Sequence, residues 1–177
     1  MSAWWIGPSA GAEAMALVVF AIGNPSRGDD ALGPRLMAEL ESWNLPDVRL
    51  VSDFQLQIEH ALDLDDRDLA LFIDAGTGTP APYSFREIHP APDRSISSHA
   101  LSPEAVLHVY EEIRRPPPPA FVLCVRGEDF QLGAELSGIA AAHLTAARNH
   151  LLDCLATIDV AYWRQRTGLV QVSGKQG

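Results

Sequence analysis

No stretch of the chain approaches the roughly 20 consecutive apolar residues needed to cross a bilayer. The apolar run from Ala14 to Gly23 is far too short for that and reads as a buried strand. Positive charge is scarce: 13 Lys and Arg stand against 23 Asp and Glu, for a net charge of −10 at pH 7. Such a chain repels phosphate backbones and anionic lipid surfaces, which argues against nucleic-acid and membrane partners. There are two cysteines, Cys124 and Cys154, in no CxxC or CxxH setting. They read as small buried hydrophobes in a reducing compartment, and nothing in their setting asks for a disulfide. The segment Met1 to Glu13 has no Lys or Arg and so lacks the positive region of a signal peptide. Together these absences predict a cytoplasmic protein. Chemical motifs are missing too. No Gly-Lys-Ser/Thr follows the first loop, and there is no GxGxxG, no Gly-x-Ser-x-Gly and no HExxH. That removes the usual signals for a P-loop, a dinucleotide fold, a serine nucleophile and a zinc protease. Cys124 lies inside an apolar run and is a poor nucleophile candidate.

What is present is one core. The 177 residues, 47% hydrophobic, suit a single domain. Ala16 to Ile22, Leu69 to Ile73 and Ala120 to Val125 are apolar on both faces, as central strands of a sheet covered on both sides are. Val48 to Val51 is a further strand, and Tyr83 to Ile88 alternates as an edge strand does. From Asp29 the pattern is helical, with Leu32, Leu36, Met37, Leu40 and Trp43 on one face and Asp29 or Asp30 placed to cap the start. Gln55 to Leu64 can form a helix. Ser102-Pro103-Glu104 opens another, and Leu136 to Ile158 carries a long helical pattern. Alternating strands and helices predict an α/β fold, three-layer, with a mainly parallel twisted sheet of about five strands flanked by helices. The expected organisation is a flexible leader over 1–14, with Met15 as a candidate native start. A single α/β domain over 15–160 and a C-terminal tail over 161–177 follow.

In an open α/β sheet, ligands gather at the carboxyl ends of strands. Two strands here end in loops with carboxylates. The first is followed by Asn24, Asp29 and Asp30, the third by Asp74 and then Gly76, Thr77 and Gly78, whose small residues let a ligand lie close to backbone. His99 precedes a capped helix. Two carboxylates and an imidazole are a set that can hold a divalent metal. On spacing alone Asp30 could equally be a cap, Asp74 a loop residue and His99 a surface histidine. Paired aspartates at a helix start oppose a phosphate by like charge. Consecutive residues there point about 100° apart, so only one of Asp29 and Asp30 should face inward.

The stretch Val18 to Gly33 (VVFAIGNPSRGDDALG) resembles the opening of the nickel–iron hydrogenase maturation endopeptidases. In order downstream, Phe54-Gln55-Leu56, Phe72-Ile73-Asp74-Ala75, Ser98-His99-Ala100-Leu101-Ser102-Pro103 and Gly133-Ala134-Glu135-Leu136-Ser137 resemble further segments of that family. The resemblance spans about residues 16 to 155. It departs from the family at Ala21, where the first glycine is usual, and at Asp30, where many members carry the longer Glu.

The resemblance implies a hydrolase that removes the C-terminal extension of a hydrogenase large subunit once nickel is inserted. Its partner is then the nickel-loaded large-subunit precursor. Asp30, Asp74 and His99 are the implied metal contacts, Asp30 and Asp74 the catalytic carboxylates of an aspartyl-type peptidase, and Asn24, Asp29, Gly76, Thr77 and Gly78 the substrate-binding candidates. No permanently bound cofactor is implied. The nickel belongs to the substrate, and Cd or Ni is expected to enter the site in vitro. The alternatives from other classes are a non-catalytic binding or chaperone module docking on a metalloprotein, and a nucleotide-binding α/β protein.

Overall fold

Side chains that are apolar on both strand faces need cover above and below, and the computed structural model supplies it. It describes residues 15–93, 100–114 and 116–168. The strands are β1 (Leu17–Ile22), β2 (Val48–Asp53), β3 (Leu69–Gly76), β4 (Tyr83–Ile88) and β5 (Ala120–Arg126). They form one sheet in the order β2-β1-β3-β5-β4, parallel except for β4, which pairs antiparallel with β5 at the edge. This is the expected three-layer architecture.

Alternate residues of each strand feed two cores. On one face Leu17, Val19, Leu71, Ile73 and Leu123 pack against α1 (Leu32–Trp43) and α3 (Gly138–Ala156). On the other, Val18, Phe20, Phe72 and Val122 pack against α2 (Pro103–Ile113) and a 3-10 helix over Ile58–Leu64. Phe20 and Phe72 stack across that second face with ring centroids 4.6 Å apart. Among the described residues no helix is long and apolar enough to cross a membrane.

Several expectations need correction. The segment expected as a helix from Gln55 is a 3-10 helix that begins at Ile58. The helix expected from Asp29 begins as a 3-10 turn over Gly28–Ala31, and α1 starts only at Leu32. Neither aspartate caps it, because both side chains are committed elsewhere. The tail expected from residue 161 is part of the domain: α4 (Val160–Arg164) carries Trp163, which is fully buried. The leader over 1–14 lies outside the described residues, and Met15 packs against the first core.

Two glycines explain how the first loop is built. Gly23, at φ +144°, leaves no room for a side chain, since a Cβ there would lie 2.0 Å from the Asp30 carbonyl oxygen. A Cβ at Gly33 would lie 2.4 Å from the Ile22 carbonyl oxygen. The start of α1 therefore rests directly on the end of β1, and the turn carrying Asp30 folds back over Gly23.

Candidate active site

The chain leaves β1 toward β2 on one side and returns to β3 on the other. The sheet's switch point thus falls between β1 and β3, where a crevice for ligands opens at the carboxyl ends. Asp30 and Asp74 stand at that point. Asp30 Oδ2 accepts a hydrogen bond from the Asn24 backbone N–H at 2.8 Å, and Asp74 Oδ1 accepts one from the Ala75 N–H at 2.8 Å. Each carboxylate is oriented through one oxygen, and the other oxygen has no donor among the described residues. That is how carboxylates are presented to a cation.

Electrostatics ties the pair together. Burial pushes the Asp74 carboxyl up to about 6. The Ala75 N–H opposes this, and the neighbouring Asp30 charge adds to it. A positive centre between the two would relieve both costs. His99, the third expected ligand, lies outside the described residues. Among the described residues no three His, Cys, Asp or Glu side chains converge as a metal set.

Asp29 is the buried member of the aspartate pair, with 0% exposure. Its Oδ2 accepts from the N–H groups of Glu128 and Asp129 and from the Ser137 hydroxyl, and its Oδ1 accepts from the Ser137 N–H. Burial disfavours its charge, but these four bonds outweigh that and hold the carboxyl below its ordinary value. Asp29 therefore pins the 127–137 loop to the first loop. Expected as a substrate-binding candidate, it is fully buried and commits both oxygens to its own chain. It pairs with neither Arg27 nor Arg35.

The other binding candidates divide. Asn24 lines a hollow of about 360 Å³ beside Asp30, together with Arg27, Phe54, Gln55 and Phe130. Thr77 and Gly78 are exposed near Asp74. Gly76 is covered by this chain's own groups: a Cβ there would lie 2.9 Å from Thr79 Oγ1 and 3.3 Å from Cys124 Sγ.

Arg27, Phe54 and Gln55 fall in segments that carry the resemblance, but that they meet Phe130 in one hollow was not legible, because the four come from three separate loops. Phe54, 66% exposed, stands between this hollow and a second one bounded by Gly23, Pro25 and Pro34. Cys124 also departs from expectation. It is half-buried, on the strand position paired with Asp74, and its thiol lies 2.9 Å from the Thr79 hydroxyl. Burial raises its thiol pKa, so it packs beneath the site as a neutral group.

No family model matches the sequence, and no curated protein is found similar to it. Solved structures do match. The hydrogenase maturating endopeptidase HybD from E. coli superimposes with a TM-score of 0.66 at 22% identity, covering 80% of this chain and 92% of that one. The [NiFe] hydrogenase maturation protease HycI from Thermococcus kodakarensis does so with a TM-score of 0.64 at 21% identity, covering 81% and 94%. A solution structure of an Escherichia coli endopeptidase gives 0.63 at 23% identity, covering 86% and 94%. Along most of its length, this chain has the fold of the hydrogenase maturation endopeptidases.

Proposed function

We propose that this protein is an endopeptidase that removes the C-terminal extension of a nickel–iron hydrogenase large subunit after nickel insertion, and that it recognises the nickel in its substrate. The observation that carries the reading is the pair Asp30 and Asp74. Each is oriented by one backbone N–H, and both stand at the switch point of a sheet shared with structures named as hydrogenase maturation proteases. The substrate's metal supplies the positive centre that these carboxylates lack, and His99 is the proposed third contact. A hard carboxylate and an imidazole complete the shell of a nickel held by substrate cysteines. Without that metal, the docking energy is missing and cleavage waits.

Asp74 suits the role of general base. Its Oδ1 is held by the Ala75 N–H, its second oxygen is left for a water, and a metal beside it keeps the carboxylate ionised. It takes a proton from water as the oxygen attacks the scissile carbonyl, and that proton then passes to the leaving amine. Asp30 holds the substrate's metal beside it.

The test is incubation of the purified protein with nickel-loaded large-subunit precursor, followed by intact mass. Loss of the C-terminal peptide is expected with wild type. Asp30→Asn is expected to abolish it with an unchanged circular dichroism spectrum. Normal processing by that variant sinks the metal-contact role, and tight binding without any cleavage by wild type would leave a docking module instead.

A further inference from the structure

Cations are few in this chain, and most are taken. Of the ten arginines among the described residues, seven form an ion pair with a carboxylate. Three do not. Arg67 lies in the turn before β3, at the opposite end of the sheet, and Arg35 lies on the exposed face of α1. Arg27 is the third, and it alone of the three lines the hollow beside Asp30. Its Nε donates to the Phe130 carbonyl at 3.4 Å, which ties the side chain to the 127–137 loop. Its two terminal nitrogens have no acceptor among the described residues. In a chain of net charge −10, an exposed guanidinium that pairs with no carboxylate of the described residues and lines a ligand-sized hollow suits a carboxylate from a ligand.

The hollow is polarised. Asp30 on one side calls for a cation, and Arg27 one turn away calls for an anion. Phe54 and Phe130 add apolar rings to its lining, and Asn24 and Gln55 add side-chain amides of the kind that hydrogen-bond a peptide. We propose that Arg27 is a specificity-determining anchor for a carboxylate of the substrate peptide, within a few residues of the scissile bond. The carboxylate is either an acidic side chain or a free chain terminus. A planar guanidinium takes either one through two parallel N–H donors, which Lys cannot reproduce. This inference rests on the proposed protease reading for its substrate, although the anchor itself is a binding site that can be read without cleavage.

The binding test follows the Arg27 Nε–Hε resonance while the protein is titrated with three capped dipeptides. These are acetyl-Val-Glu-amide, acetyl-Val-Gln with a free terminal carboxyl, and acetyl-Val-Gln-amide. A saturable shift is expected with at least one carboxylate peptide and not with the neutral one, and it separates the two carboxylate sources. No shift with either carboxylate peptide, or an equal shift with the neutral one, overturns the anchor. In the processing assay, Arg27→Ala is expected to raise KM about tenfold with kcat nearly unchanged, as loss of a charge-assisted pair to bound substrate does. Arg27→Lys recovers only part of this, and Arg35→Ala serves as the control with wild-type KM. Wild-type KM for Arg27→Ala also overturns the anchor. If wild type processes no precursor at all, the protease reading fails, and the peptide titration decides the anchor by itself.

Discussion

Asp29 and Asp30 are adjacent, chemically identical and opposite in role. Asp30 keeps one oxygen for a ligand. Asp29 spends both on its own chain, accepting four hydrogen bonds from groups about a hundred residues away. Every one of its partners is a donor, so the site needs an acceptor-only side chain. Asn at position 29 would turn an NH2 group toward N–H or O–H donors, and would be little better than Ala. Either substitution leaves buried donors unsatisfied, at about 1–3 kcal/mol for the group and more where a charge is lost. We therefore expect Asp29→Asn to lower unfolding stability by roughly 2–4 kcal/mol, measured by urea denaturation at pH 7. A loss under about 0.5 kcal/mol, the scatter of ordinary surface changes, would show that the loop holds without it. Asp30→Asn, by contrast, should cost little stability, because Asn still offers an oxygen to the Asn24 N–H.

At the scale of elements, what could be read in advance was whatever depends on nearby residues. β1, β3 and β5 declared themselves because both faces are apolar, and α2 because Ser102 does cap it, accepting from the Ala105 N–H at 3.1 Å. The positions of Asp30 and Asp74 were legible because one lies in the loop after β1 and the other near the end of β3. Which aspartate faces the crevice was not, since Asp29's partners are remote in sequence. The 3-10 turn before α1 was hidden for the same reason: its expected cap residues are drawn away by Ser137 and Asn24.

Helix α3 carries a half-buried titratable group. His150 lies edge-on to Phe85 with centroids 4.5 Å apart and tilted on Tyr83 at 5.0 Å. Burial depresses its pKa from 6.5 to about 4. The Asp153 charge opposes this shift, and Arg166 assists it. A depressed histidine contributes stability that is complete above its unfolded pKa and is lost as the pH falls toward the folded value. Between pH 7 and pH 5 this group alone should cost the fold about 2 kcal/mol. His150→Phe keeps the aromatic packing and removes the proton, so its urea midpoint should fall less over that range. Equal declines in variant and wild type would exclude His150 as the source.

The whole molecule closes its sheet at two unlike edges. β2 ends in the loop that carries Phe54. β4 is flanked by α4 and the turn after it, where the Gly168 N–H donates to the Phe85 carbonyl at 3.2 Å and Arg164 forms a two-point pair with Glu87. The weight of that cover rests on Trp163. Its indole is wholly buried, edge-on to Phe121 at 5.4 Å and Phe85 at 6.0 Å, and its N–H donates to the carbonyls of Cys154 and Thr157. Exposed Arg164 and half-buried Glu87 add little by comparison, since surface pairs are worth about 0–1 kcal/mol. Replacing Trp163 by Ala should therefore cost roughly 3–5 kcal/mol, a large share of the 5–15 kcal/mol that typically holds a domain together. Ending the chain after Asp159 should cost at least as much, because it bares the apolar ends of β4 and β5 and leaves an open edge strand. Arg164→Ala separates the two contributions. If it destabilises as much as Trp163→Ala in urea, the surface clamp and not the indole holds α4, and the core boundary drawn at Trp163 is wrong.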